Sequence, residues 1–507
     1  MDSQHLNTTN SYRKLLDIQK EITSLTSASM LLEWDQETNM PAAAGVQRAE
    51  SLSALSGIIH AKSTSPELGE ILEALSGNSS ELSSQQRAVV REWNRQYKRQ
   101  IKLPASLVEE LSKTTSLSQQ AWSQARSENN SELFLPYLKK IIELSKEAGE
   151  HLKLEGQSAY DALLDEYEPG AKGDELALLF KDLVAEIVPL LRKVESRPEP
   201  KGAFENSEWD TSKQEELSMF LLTKMGFDFE RGRLDVSEHP FTEGLNLNDV
   251  RLTTRYSPSE FFDAFFSTAH EGGHGIYEQG FSAKWIGTPI AESISLGVHE
   301  SQSRLWENQV ARSREFWIWM WPELQTRFPE NLNGIEFDTF YRVVNKVKSG
   351  EIRVDADELT YNLHIALRFQ IEREIFNEGL KVSDIEARWN ELSDEYLGLL
   401  PTSPMRGFLQ DVHWSVGLFG YFPTYTLGNL MSAQIFNTVE NQIPQLKDQF
   451  QSGKFEELKL WLNQNIHRYG KFYSSQDLMV KISGEKLNAK YFTDYLKEKY
   501  SRLYELV

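Results

Sequence analysis

The sequence contains no cysteine. Disulfides, thiol catalysis and cysteine-ligated zinc are thereby excluded, and a reducing cytosol is a natural setting. No run of about 18 apolar residues occurs, so no membrane-spanning helix is expected. Residues 1–12 are polar and lack the apolar stretch of a secretory signal. Positive charge is in short supply: 54 Lys and Arg stand against 75 Asp and Glu, a formal net charge of −21. Phosphate binding needs clustered Lys and Arg, so neither nucleic acid nor a membrane is an expected partner. Together these absences point to a cytoplasmic protein.

What is present is enough apolar material for a large core, with 40% apolar and 11% aromatic residues over 507 positions. Helical periodicity dominates. Leu176, Leu179, Phe180, Leu183, Ile187, Leu190 and Leu191 recur at helical spacing and form one stripe, with Asp174 as N-cap and Pro189 as a kink or break. Similar patterns predict helices over about 11–37, 42–64, 84–100, 106–127, 133–158, 213–225, 335–348, 359–377, 382–399 and 454–469. Strand patterns are scarce. Residues 233–236 and 250–256 are the best candidates, and they predict a small antiparallel sheet leading into the next motif. No linker, repeat or low-complexity tract divides the chain.

That motif is His270-Glu271-Gly272-Gly273-His274. Ser257, Pro258 and Glu260 predict a capped helix start, and Gly280 a stop after Gln279. On such a helix His270 and His274 share a face and both imidazoles reach one zinc ion, with Glu271 beside them to act on water. Gly272 and Gly273 each cost about 1 kcal/mol against alanine inside a helix. Their presence implies close approach by substrate or by another backbone, and room for substrate beside the metal is the reading preferred here.

A catalytic zinc site takes three protein ligands and keeps one position open. Thr288-Pro289 predicts a second helix running to about residue 308, and both Glu292 and Glu300 lie on it. Periodicity alone leaves either as third ligand. His299 is turned about a quarter-turn from Glu300 and suits a supporting role.

His299-Glu300-Ser301-Gln302 resembles the H-E-[SG]-Q motif of the carboxypeptidase Taq family of metallocarboxypeptidases. Four further segments resemble family motifs in the same order: His239-Pro240-Phe241 (H-P-F), Asp249 to Thr253 (D-x-R-x-T), Ile352 to Asp357 (I-R-x-x-A-D) and Gly407 to Trp414 (G-x-x-Q-D-x-H-W). Trp34-Asp35 and Tyr167-Glu168-Pro169-Gly170 are weaker marks. The resemblance spans most of the chain and selects Glu300 over Glu292 as the ligand. It implies a mainly α metallopeptidase in one domain over 1–507, with a long central groove, a lid of about residues 1–100 and a catalytic core of about 230–430. It also implies a homodimer, and release of single C-terminal residues from peptides with broad specificity and poor release of proline.

The expected ion is one Zn2+ per chain, which Co2+ or Mn2+ is able to replace, since imidazole and carboxylate ligands accept all three. Glu271 is the expected general base. A carboxypeptidase needs a cation for the substrate's free C-terminus, and arginine binds both carboxylate oxygens. Arg251 and Arg353 are the candidates, the resemblance favouring Arg353; either could instead serve a structural ion pair. For the oxyanion of the tetrahedral intermediate, His413, Tyr421 and Tyr425 are candidates, Tyr425 preferred, by resemblance to related helical zinc peptidases. His239 either contacts substrate or satisfies a loop. The competing readings are an endopeptidase or dipeptidyl carboxypeptidase on the same scaffold, a non-catalytic peptide- or metal-binding relative, and a metal-free helical scaffold.

Overall fold

The stripe beginning near Leu176 folds into the Gly173–Glu195 helix, burying Leu176, Phe180, Leu183, Ile187, Leu190, Leu191 and Val194. One expectation fails here, and of the two outcomes allowed for Pro189 a break is not the one observed. Lys172 holds the N-cap position, and Asp174 lies in the first turn, where it meets Arg373 at 2.8 Å. The helix also passes through Pro189 unbroken. Proline in a helix interior costs about 3 kcal/mol. Buried aliphatic side chains on both sides of it contribute about 1.5–3 kcal/mol each, so the stripe outweighs the defect.

The structure is a computed structural model that describes residues 2–506. Helices account for most of it. Gly45–Ser63, Ser84–Lys102, Ala105–Ser127 and Thr211–Met225 follow the periodicity closely, and Asp2–Thr38 starts well before the expected residue 11. The helix expected over 133–158 covers Leu135–Leu152 only, and a separate helix the sequence did not suggest, Ala159–Tyr167, follows. Ser158 forms a capping box with Asp161 there, which starts this second helix after the positive-φ Gly156. The N-terminal helices share their own core of Tyr12, Leu15, Leu68, Leu72, Val89 and Trp93 with Ile290. A larger core extends from Ala125 to Tyr504.

Among the described residues there is one sheet, of three strands: β1 (Gly232–Val236), β2 (Thr242–Asn246) and β3 (Asp249–Thr254), in the order β1-β3-β2. The two strands legible in the sequence pair in parallel, and the antiparallel ladder is β2 with β3. The sheet is therefore mixed. Thr-Glu-Gly-Leu-Asn has almost no strand pattern, so β2 was not legible; it forms because it carries the chain back between two parallel partners, which cannot be joined by a tight turn. Leu252 of β3 packs so closely on the following helix that a Cβ at Gly275 would lie 2.7 Å from its Cδ2.

That helix, Phe261–Gln279, carries the H-E-x-x-H motif. It begins later than expected, with Glu260 at the N-cap position and no side-chain cap. The residues expected to cap it are held by other partners. Ser257 Oγ accepts from Ser259 N, its carbonyl accepts from Gln214, and the Pro258 carbonyl accepts from Trp209 N. The second expected helix also starts later. Pro289–Ala291 is a single 3-10 turn, Glu292 is extended, and Ser295 caps a helix over Leu296–Arg304. Gly470 explains the interruption: a Cβ there would lie 1.9 Å from the Ile290 carbonyl, so a crossing segment fixes the backbone of residues 290–292. The helix continues as a π-helical stretch, Leu305–Ala311.

Candidate active site

Three elements meet at the H-E-x-x-H helix. His270 and His274 point their Nε2 atoms at Glu300 Oε2, each at 3.5 Å. Among the described residues these three form the one cluster whose donor atoms all lie within 4.8 Å of one another and could hold a metal ion. The surroundings fit such an ion. His270 Nδ1 lies 3.0 Å from Glu307 Oε2, which places the proton on Nδ1 and leaves the Nε2 lone pair facing the cluster. Arg304 Nε donates to Glu300 Oε1 at 2.6 Å, leaving Oε2 for the ion, and Ser303 Oγ steadies that oxygen at 3.1 Å. Burial holds the His274 pKa down to about 3, so this imidazole is neutral and able to ligate. Burial also works against charge on His270, but Glu300 and Glu307 outweigh it and raise its pKa. Burial opposes the ionised form of Glu300, and Arg304 and His270 outweigh it, holding the carboxyl well below its usual range.

The paired glycines serve helix packing. A Cβ on Gly273 would lie 2.7 Å from both Gln302 O and Ser303 Cα, and one on Gly272 would lie 2.6 Å from Leu222 Cδ2. Close approach by another backbone is observed at Gly273, while Gly272 meets the side chains of Leu222 and Met225, so the space beside the pair is filled by protein. Gly428, on the helix Pro423–Gln442, closes the opposite side: its Cβ would lie 2.4 Å from Glu300 Cγ. Glu300 is thus seated between two glycine-lined faces. Gly428→Ala is expected to displace it, weakening metal binding by about 10–100-fold, as loss of a ligand's support does. Overpacking should also cost about 1–3 kcal/mol of stability. Chelator competition and thermal melts measure the two effects.

Glu271 is buried and is not one of the three donors. Thr242 Oγ1 donates to its Oε2 at 2.6 Å, and burial raises its pKa. Thr242 comes from β2, so the missed strand positions this carboxylate. His299 stacks on the His274 ring at 4.1 Å and 16°, with its Nε2 2.9 Å from Glu278, the supporting place expected of it. Glu292 lies outside the cluster, paired with Lys471 at 2.7 Å.

The two later motifs dock on each other. Gln410 Oε1 accepts from Arg353 N, and Asp411 Oδ1 accepts from Arg353 Nε and Nη2 at 3.0 and 2.8 Å. Arg368, which the sequence reading missed, holds the other oxygen of Asp411 at 2.7 and 2.5 Å. Two buried guanidiniums thus share one carboxylate. Arg353 also faces the Tyr425 ring, at 5.2 Å. His413 Nε2 lies 3.3 Å from the Tyr425 hydroxyl, and burial lowers the His413 pKa to about 4. Tyr421 packs edge-on between Tyr167 and Tyr425.

Arg251 and His239 stand apart from this group. Arg251 pairs with Asp249 at 2.9 Å, and its guanidinium lies 4.3 Å from the Trp34 ring of the Asp2–Thr38 helix. His239 is exposed, and its carbonyl accepts from Ser237 Oγ. Thr242, Arg304 and Glu307 were also missed. Arg304 and Glu307 carried a signal, since their spacing from Glu300 puts all three on one helical face; Thr242 carried none.

The family model described as carboxypeptidase Taq (M32) metallopeptidase matches residues 14–500. The chain belongs to this family. The cluster that could hold a metal ion therefore lies in a peptide-bond hydrolase of the metallocarboxypeptidase type. The chain is 39% identical to thermostable carboxypeptidase 1 of Thermus thermophilus, over 97% of this chain and 99% of the relative. It is 37% identical to carboxypeptidase 1 of Bacillus subtilis over the same shares. The M32 carboxypeptidase of Deinococcus radiodurans superposes with a TM-score of 0.96 at 37% identity, covering 98% of this chain and 100% of that one. No described helix is long and apolar enough to cross a membrane.

Proposed function

We propose that this metallocarboxypeptidase releases single C-terminal amino acids from peptides, with broad side-chain tolerance and slow release of proline. The ion in this reading is zinc, held by His270, His274 and Glu300, with Co2+ or Mn2+ able to replace it. Two imidazoles and one carboxylate are a usual donor set of catalytic zinc. Such an ion, when bound, acidifies water and polarises the scissile carbonyl.

The rest falls to side chains. Glu271, held by Thr242 through one oxygen, takes the proton of the attacking water on the other and delivers it to the leaving amine. Tyr425, oriented by His413, donates to the developing oxyanion, and Tyr421 packs against it. Arg353 receives the substrate's terminal carboxylate, which a guanidinium can bind through two hydrogen bonds. The observation that carries the reading is the charge imbalance around Asp411: Arg353 and Arg368 bring two positive charges to one negative, beside the Tyr425 that contacts His413. A buried excess of positive charge invites an anion.

Arg251 is read as holding the N-terminal helices to the sheet through Trp34, with about residues 1–100 acting as a lid on a single peptidase domain. The assembly is taken to be a cytoplasmic homodimer, as the family resemblance and the cysteine-free composition suggest.

A time course on one peptide, as free acid and as C-terminal amide, tests this by mass spectrometry. Single-residue ladders from the free acid alone, abolished by chelator, are expected. Equal cleavage of the amide would replace the proposal with an endopeptidase.

A further inference from the structure

Tyr361 opens the helix Tyr361–Arg373 and is nearly buried, at 7% exposure. It touches both halves of the site. The Arg304 guanidinium, which holds the Glu300 carboxylate, lies 4.6 Å from its ring centre. Its hydroxyl accepts from Arg353 Nη1 at 3.1 Å. A single rigid side chain thus stands between the metal ligand's partner and the proposed carboxylate anchor. No motif carried this residue, and none of the roles above uses it.

Its own position is fixed. Asp357, which ends the I-R-x-x-A-D motif, accepts from the backbone of Leu359 and Thr360 at 2.9 and 3.0 Å and so sets where the helix starts. The next residue, Asn362, accepts from Asn429, which in turn contacts Asn308 of the π-helical stretch that follows the Glu300 helix. The Tyr425 ring stands perpendicular to that of Tyr361, with centroids 6.2 Å apart.

We propose that Tyr361 is a positioning residue that sets the separation between the metal centre and Arg353, and thereby restricts cleavage to the last peptide bond. The proposal rests on the carboxypeptidase reading above. An exopeptidase that removes one residue needs its carboxylate anchor at a fixed reach from the scissile carbonyl, because successive Cα atoms are about 3.8 Å apart. Asp411 holds Arg353 through Nε and Nη2 only, and the Tyr361 hydroxyl is what fixes the remaining nitrogen, Nη1. An aromatic spacer with two torsions does so at little entropic cost.

Tyr361→Phe and Tyr361→Leu test this on the full chain with its metal. Tyr361→Phe keeps the ring and loses only the contact with Arg353. KM for a free-acid peptide should rise about tenfold, the effect of losing a hydrogen bond to a charged group, while kcat and metal content stay unchanged. The preference for free acid over amide should fall by the same factor. Tyr361→Leu also removes the ring that lies against Arg304 and should release dipeptides alongside single residues. An acid-to-amide preference in Tyr361→Phe equal to that of the parent overturns the proposal, and this near-isosteric variant keeps the test valid if Tyr361→Leu folds poorly. If the parent itself cuts the amide as fast as the acid, the carboxypeptidase reading is what fails.

Discussion

Glu271→Gln is expected to bind its metal ion as tightly as the parent and to lose about 10³-fold in kcat, within the range that general acid–base catalysis contributes. Metal should be retained because the donor atoms that could hold it belong to His270, His274 and Glu300, and none to Glu271. Glutamine is isosteric, and its amide oxygen can still accept the Thr242 hydroxyl that now meets Glu271 Oε2. What disappears is the second oxygen's ability to take a proton. Burial makes the native carboxyl a stronger base than one in water, since its raised pKa narrows the gap to the water it must deprotonate. KM should change little, because Glu271 is given no part in binding the terminal carboxylate. Metal analysis beside initial rates measures both halves, and a variant of undiminished kcat would remove Glu271 from the chemistry.

The two histidines and Glu271 were legible because their spacing is a property of one helix. The helix boundaries were less so. Ser257 has every local feature of an N-cap, yet its oxygen atoms are taken by Ser259 and Gln214, the second 43 residues away in sequence. Thr288-Pro289 likewise opens only a single turn, because Gly470 brings a distant segment onto Ile290. In both places a tertiary contact defeats a sound local signal. Glu300 and Glu292 looked equivalent by period, and family resemblance separated them. The physical separation is the interruption before Ser295, which leaves Glu292 off the helix altogether.

The positioning groups were the least legible. Thr242 reaches Glu271 from a strand with almost no strand pattern. Arg368 and Tyr361 lie on a helix whose period announced only packing. Arg353 was legible as a candidate, but its shared hold on Asp411 needed two motifs 58 residues apart to be placed together. The paired glycines show the converse. Their cost to the helix was evident, and so was the need for close approach, but the preferred partner was wrong. Gly273 faces the backbone of the Glu300 helix, and this approach is what brings the Glu300 carboxylate within 3.5 Å of both imidazoles.

Glu300→Ala should therefore have the widest consequences of any single change in the cluster. The histidines alone leave the ion two protein donors, and the affinity loss should exceed the roughly 10–100-fold that follows removal of a mere outer partner. Activity at trace metal should fall to background. A second effect runs through Arg304. This buried guanidinium is held by Glu300 at 2.6 Å and by Glu307 at 3.1 Å, and it loses the shorter contact. Breaking a buried ion pair from one side costs about 3–5 kcal/mol, and Glu307 should reduce but not cancel that cost. Glu300→Gln separates the two effects: its carbonyl can still accept from Arg304 and fill the space against Gly428, while the anionic ligand is gone. Glu300→Ala should thus lose both metal and melting temperature, and Glu300→Gln mainly metal. A Glu300→Ala protein that purifies with stoichiometric metal would exclude Glu300 as a ligand, whatever its melting temperature.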